Sequence, residues 1–238
     1  MSGHSKWSQI KRTKGVLDQK KGLLFSKLSK KISIAVKEGG SGDPGANFKL
    51  KSIIDFAKSQ GMPNDNVERA IKNALGGGAG SITEVVYEGY GLFGTAFLVE
   101  TATDNTNRTY QNIKHIFSKH GGQIGTSNSV AWQFTTKGQI LVERDNNLSA
   151  IELAAIDAGA EDVRESAEGL EVYTKPQDLQ KVKEALVKAG AKIAQADIIK
   201  ESSQGVGLTE EQKPKVDALF AELENDEDVI SVHTSANL

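Results

Sequence analysis

Five consecutive residues, Gly76-Gly77-Gly78-Ala79-Gly80, divide the chain into parts that obey different periodicities. Such a run is a flexible linker in composition. Ahead of it, apolar residues recur at helical spacing. Leu24, Leu28, Ile32 and Ala35 form one face of a helix expected over 23–38, with Lys27, Lys30, Lys31 and Lys37 on the other faces. Gly39-Gly40 ends it, and Asp43-Pro44 signals a second start, Asp as cap and Pro in the first turn. Leu50, Ile53, Ile54 and Ala57 point inward on that second helix, which Gly61 ends. Asn64 caps a third, striped by Val67, Ala70, Ile71, Ala74 and Leu75. Residues 1–75 therefore read as a small three-helix domain whose first third is a basic arm.

Beyond the linker, strands and helices alternate. Thr95–Thr103 reads as a strand, Thr106–His120 as a helix, Gln123-Ile124 as a short strand and Ser129–Thr136 as another. Glu84–Glu88 is an additional strand ahead of this set. Residues 138–203 then carry a complete β-α-β-β-α-β order, that of a ferredoxin-like fold. Its two helices both end in Ala-Gly-Ala, at 158–160 and 189–191. The last stretch supplies a helix with Val216, Leu219, Phe220 and Leu223 inward, opened by the capping-box pattern Thr209-Glu210-Glu211-Gln212, and a strand over Val229–His233. The expected fold class is α+β: a helical domain, then two ferredoxin-like domains, one formed by 81–137 plus 204–238 and the other, 138–203, inserted in it. In the alternative, the C-terminal helix and strand pack on the inserted domain.

Net charge is −2 over 238 residues, and its distribution carries more than its total. Residues 1–75 hold 15 Lys/Arg against 6 Asp/Glu, while 76–238 hold 14 against 25. Charges of +9 and −11 thus sit on the two sides of the linker. A basic arm on an acidic body points to nucleic acid as partner. The segment lacks the wide apolar face of an interfacial helix, and no apolar run is long enough to cross a bilayer, so no membrane partner is expected. The chain has no cysteine, which removes disulfides and thiolate chemistry. Residues 1–7 lack the apolar core of a signal peptide, and a cytoplasmic location is the expectation.

The glycine run lacks the Lys-Ser/Thr ending of a phosphate loop, and His4, His115, His120 and His233 have no metal-ligand spacing. No catalytic residue, metal, cofactor or small-molecule substrate is expected, and the chain reads as a non-enzyme. Candidate nucleic-acid-binding residues are His4, Lys6, Trp7, Lys11, Arg12, Lys14, Lys20, Lys21, Lys27, Lys30 and Lys31. The cations would neutralise phosphates, and Trp7 would stack. Asn105, Asn107 and Arg108 form a secondary candidate, a polar strand-to-helix turn able to hold an anion. Its plain alternative is a cap plus a local ion pair. Glu222, Glu224, Asp226, Glu227 and Asp228 read as a solvated acidic surface. A protein-interaction adaptor is the competing class of function.

Several motifs together resemble the YebC/PmpR family. They include Gly3-His4-Ser5-Lys6-Trp7, Phe25-Ser26-Lys27-Leu28, Glu68-Arg69-Ala70-Ile71-Lys72, Tyr87-Glu88-Gly89-Tyr90-Gly91, the run Thr103–Thr109, Ser129-Val130-Ala131-Trp132 and Ala158–Asp162. The resemblance spans nearly the whole chain. It implies one helical and two α/β domains and a role in gene expression. That role is either transcriptional regulation at promoter DNA or ribosome-associated translation, in which the factor contacts ribosomal RNA and relieves stalling. The chain departs from the family pattern after Gly91, where Leu92-Phe93-Gly94 replaces the usual Pro-Gly-Gly.

Overall fold

The computed structural model describes residues 18–76, 82–145 and 147–237. Three helices open it: α1 (Asp18–Gly39), α2 (Phe48–Ser59) and α3 (Asn64–Gly76). Their apolar stripes close on one core of Leu28, Ile32, Ala35, Val36, Leu50, Ile54, Ala57, Met62, Val67 and Ala70. The second helix begins later than Asp43-Pro44 indicates. Asp43 instead closes a turn, accepting from Gly45 N–H at 2.8 Å, and Asn47 is the cap, accepting from Leu50 N–H at 3.0 Å. Asn47 is buried, and its amide also donates to the Ala35 carbonyl at 2.7 Å. One side chain thus starts α2 and binds the preceding helix.

Two antiparallel sheets follow. The first contains β1 (Thr83–Tyr90), β2 (Ala96–Thr103), β3 (Gln123–Ile124) and β9 (Val229–Thr234) in the order β3-β1-β2-β9. Helices α4 (Thr106–Lys119) and α7 (Lys213–Asn225) cover one face. Phe97, Val99, Ile113, Phe117, Leu219, Phe220 and Leu223 fill the core between them. The second sheet contains β4 (Phe134–Glu143), β5 (Asp162–Glu165), β6 (Gly169–Thr174) and β7 (Ile193–Ser202) in the order β5-β6-β4-β7. It packs on α5 (Leu148–Ala158) and α6 (Leu179–Lys188) through Ile140, Val142, Ile151, Leu170, Val172, Val182 and Leu186. A short parallel pair, β8 (Val206–Gly207) with β10 (Ala236–Asn237), lies beside the first sheet.

Both sheets have the ferredoxin-like strand order, but they reach it differently. In the second, the chain visits the four positions in sequence. In the first, the third position belongs to β1, the strand that comes earliest. Ser129–Thr136, read from sequence as that third strand, is instead a one-turn 3-10 helix at Ala131–Gln133 running into the start of β4. The C-terminal pair joins the first sheet: β9 pairs with β2 from Phe97↔Thr234 to Thr101↔Val229. Val130 plugs the open face of that sheet against Ala96 and Leu98. The 3-10 turn between β1 and β2 places Phe93 at φ 60°, ψ 25°, a left-handed conformation that glycine adopts without cost.

Candidate nucleic-acid interface

Of the sequence candidates, His4, Lys6, Trp7, Lys11, Arg12 and Lys14 lie outside the described residues, as do 77–80 of the linker. The remaining lysines lie on α1, and the helix separates them. Lys21 and Lys37 are exposed, and Lys31 is half-buried. Lys27 and Lys30 turn toward the α/β body. The Lys27 ammonium donates to the Glu224 carbonyl. Burial pushes its pKa down to about 8, against the opposing pull of Glu224 and Asp226. Lys30 Nζ lies 2.7 Å from Asp228 Oδ1 and 2.8 Å from the Glu227 carbonyl. These two lysines are engaged within the chain.

Asp228 corrects the reading of the acidic run as a solvated surface. It is 2% exposed and sits where α1, β2, α4 and β9 meet. Its second carboxylate oxygen is 2.9 Å from the Arg108 guanidinium and 2.8 Å from the Thr109 hydroxyl, with Thr103 Oγ1 at 3.3 Å. Burial alone would raise its pKa. Hydrogen bonds from Lys30, Arg108 and Thr109 outweigh that and hold it at about 2. Arg108 also pairs with Asp104 at 2.9 Å, Asn105 caps α4 by accepting from Arg108 N–H at 3.1 Å, and Asn107 is exposed on the first turn. The turn thus takes the form of a cap plus ion pairs: Asn105 caps α4, and the Arg108 guanidinium holds Asp104 and Asp228. Nearby, Glu222 takes Lys119 at 2.8 Å and His120 at 2.7 Å.

A second arrangement escaped the sequence reading. Glu88, in the middle of β1, is 6% exposed and accepts three backbone hydrogen bonds: Asn128 N–H at 2.6 Å, Val130 N–H at 2.7 Å and Ala131 N–H at 2.7 Å. A buried carboxylate persists only with such compensation. Tyr90 adds a bond from its hydroxyl to the Ser129 carbonyl at 2.8 Å. Asn128, at φ 63°, completes the tight turn. This fixed segment carries Trp132, whose ring is 65% exposed and whose indole N–H donates to the same Ser129 carbonyl at 3.1 Å. The Glu88 hydrogen bonds bridge some 40 residues and leave no local pattern in the sequence.

Fold and sites define a three-part α+β protein: a helical domain and two ferredoxin-like units, one inserted in the other. No helix among the described residues is long and apolar enough to cross a membrane. Residues 5–77 match the family model described as the TACO1/YebC protein N-terminal domain, and 82–236 the one described as the TACO1/YebC second and third domain. The chain belongs to the TACO1/YebC family. It is 47% identical over 242 residues to a "probable transcriptional regulatory protein" of Thermoanaerobacter pseudethanolicus, covering 100% of this chain and 98% of that one. A protein of the same description from Deinococcus radiodurans is 47% identical, with 100% and 98% covered. Among solved structures, a conserved hypothetical protein from Aquifex aeolicus superposes with a TM-score of 0.84 at 38% identity, covering 92% of this chain and 91% of that one.

Proposed function

We propose that this protein is a non-enzymatic regulator of gene expression that binds nucleic acid, in the first place promoter DNA, through the basic arm and the outer face of α1. The observation that carries the reading is the charge split, +9 over residues 1–75 against −11 beyond. Polyanion is attracted to one end and repelled by the rest. The names of the relatives, regulators of transcription, support the same reading. His4, Lys6, Trp7, Lys11, Arg12, Lys14, Lys20, Lys21 and Lys31 make the contact. Lys27 and Lys30 enter it only if their bonds to Glu224 and Asp228 open. Because the strongest basic element is an arm and no helix-turn-helix reading helix is recognisable, the contact is to phosphates rather than to base edges in a groove.

Phosphate-directed binding also favours a second reading, a ribosome-associated translation factor that contacts ribosomal RNA. Co-sedimentation with ribosomes over a salt series, with promoter DNA as competitor, separates the two. Loss of the protein to DNA supports transcription; retention on ribosomes supports translation. Neutralising Lys11, Arg12, Lys14, Lys20 and Lys21 together flattens the log-log salt dependence of DNA binding by about 4.5, since each phosphate that goes unneutralised removes about 0.9 from the slope. If both affinities stay unchanged, the arm is not the binding element, and the adaptor reading takes its place.

A further inference from the structure

Trp132 is an exposed aromatic on an unusually well-fixed support. Glu88 holds three N–H groups of residues 128–131, Val130 is fully buried in the sheet face, and the Ser129 carbonyl takes both the Tyr90 hydroxyl and the indole N–H. Holding a large apolar ring in water brings no stability of its own. Two features of the site say what the ring offers. Its only hydrogen-bonding group is already satisfied by Ser129, so what remains for a partner is the flat π-face. The stretch that carries it is also uncharged. Residues 121–136 contain no Lys, Arg, Asp or Glu, and neither do 202–209. The second stretch is tied to the first by bonds from Ser203 N–H (2.7 Å) and Ser203 Oγ (3.0 Å) to the Gln133 carbonyl. In a body of net charge −11, these two stretches add no carboxylate; Glu88 lies buried beneath them on backbone N–H groups, and Glu201, opposite Thr135, is paired with Lys137 and Arg164.

A flat face, an uncharged surround of amides and hydroxyls, and a rigid mount fit one kind of ligand. We infer that Trp132 is a stacking platform for an unpaired nucleobase of a bound single strand. Every base has a π-face, so stacking tolerates sequence, and the surrounding side chains repel no phosphate. This inference rests on the nucleic-acid reading above and adds a contact on the α/β body.

The chain has two tryptophans, so Trp7→Phe leaves Trp132 as the single indole reporter. That variant is titrated with oligouridylate, oligothymidylate, an abasic oligonucleotide of equal length and polyphosphate. Quenching by the base-bearing strands but not by the abasic strand or polyphosphate is expected. Stronger quenching by oligouridylate assigns RNA, and by oligothymidylate DNA. Trp132→Ala, at an exposed position, is expected to leave the melting temperature unchanged while weakening base-bearing strands about tenfold, in line with 1–3 kcal/mol per stacked base. Trp132→Phe recovers most of the loss. Equal affinities for wild type and Trp132→Ala, or equal quenching by abasic strand and polyphosphate, overturn the inference. If arm neutralisation abolishes binding while Trp132→Ala does not, the inference fails and the proposed function stands. If the wild-type protein binds none of these strands, both fail. If Trp132→Ala spares oligonucleotide binding yet loses ribosome co-sedimentation, the ring serves a protein surface, and the base-stacking assignment falls.

Discussion

The two ferredoxin-like units share a strand order and differ in where their acids reach. In the continuous unit, 134–202, the buried polar cluster closes on itself. Tyr173 donates to Glu171 at 2.7 Å, Gln139 donates to the Tyr173 hydroxyl at 3.1 Å, and the Arg164 guanidinium lies 4.3 Å from the Tyr173 ring centre while pairing with Glu201. In the discontinuous unit, three acids each hold another part of the molecule. Glu88 holds the segment that leads into β4, Asp228 holds Lys30 of α1, and Glu100 takes Lys200 of β7 at 2.9 Å. The discontinuous unit is thus the frame to which the other two parts attach. Its acids act as fasteners, whereas those of the continuous unit are internal.

The largest test of that contrast is Glu88→Ala. It strands three N–H groups, and a loss of about 3 kcal/mol is expected. Thermal melting measures it, and amide exchange should show 128–131 opening first. Asp228→Asn comes next, at about 2 kcal/mol, because its cationic partners remain partly in contact with water. Exchange should rise across α1 and the α4 N-terminus while the continuous unit keeps its protection. If protection falls evenly throughout, Asp228 is not a fastener. The same group sets a pH dependence. Asp228 and Glu100 are each held at about 2, below their ordinary values near 4; for Glu100, burial pulls upward and His233 and Lys200 pull down more strongly. A depressed carboxylate stabilises the fold while it is ionised. Stability should therefore be level above about pH 5 and fall as pH drops from about 4 toward 2. In Asp228→Asn the fall should be shallower.

Smaller effects test the other side. Tyr173→Phe removes two internal hydrogen bonds, to Glu171 and from Gln139, and should cost about 1.5 kcal/mol, with increased exchange confined to β4, β5 and β6. Phe93→Gly should be neutral or raise stability by up to ~1 kcal/mol, because it relieves a left-handed φ of 60° at a half-exposed side chain. A destabilisation above that size would show that the Phe93 ring contributes more than its backbone costs.

Helix positions and the ferredoxin-like order were readable because periodicity and glycine stops are local signals. The misplaced features were settled by distant partners. Asp43-Pro44 is a sound start signal that made a turn, since Asn47 could both cap α2 and reach Ala35. Ser129–Thr136 has strand-forming residues, but Glu88 takes the N–H groups that a ladder would use. Asp228 is one of five acids within seven residues. Nothing in that run marks it as the buried one, because its partners Lys30, Thr103, Arg108 and Thr109 are 119 to 198 residues away. The basic arm was legible as charge, and charge does not reveal which lysines a helix will turn inward.

The route of the chain through the first sheet also sets an order of assembly during synthesis. Strand β9 and helix α7, which supply Val216, Leu219, Phe220, Leu223, Val229 and Val232 to that sheet's core, emerge after residues 134–202 have been made. The continuous unit can close its own core while β1, β2 and α4 still wait with Phe97 and Phe117 uncovered. A growing chain therefore carries an unfinished frame around a finished insert, and the frame's apolar face stays uncovered until residues 213–234 have emerged from the ribosome.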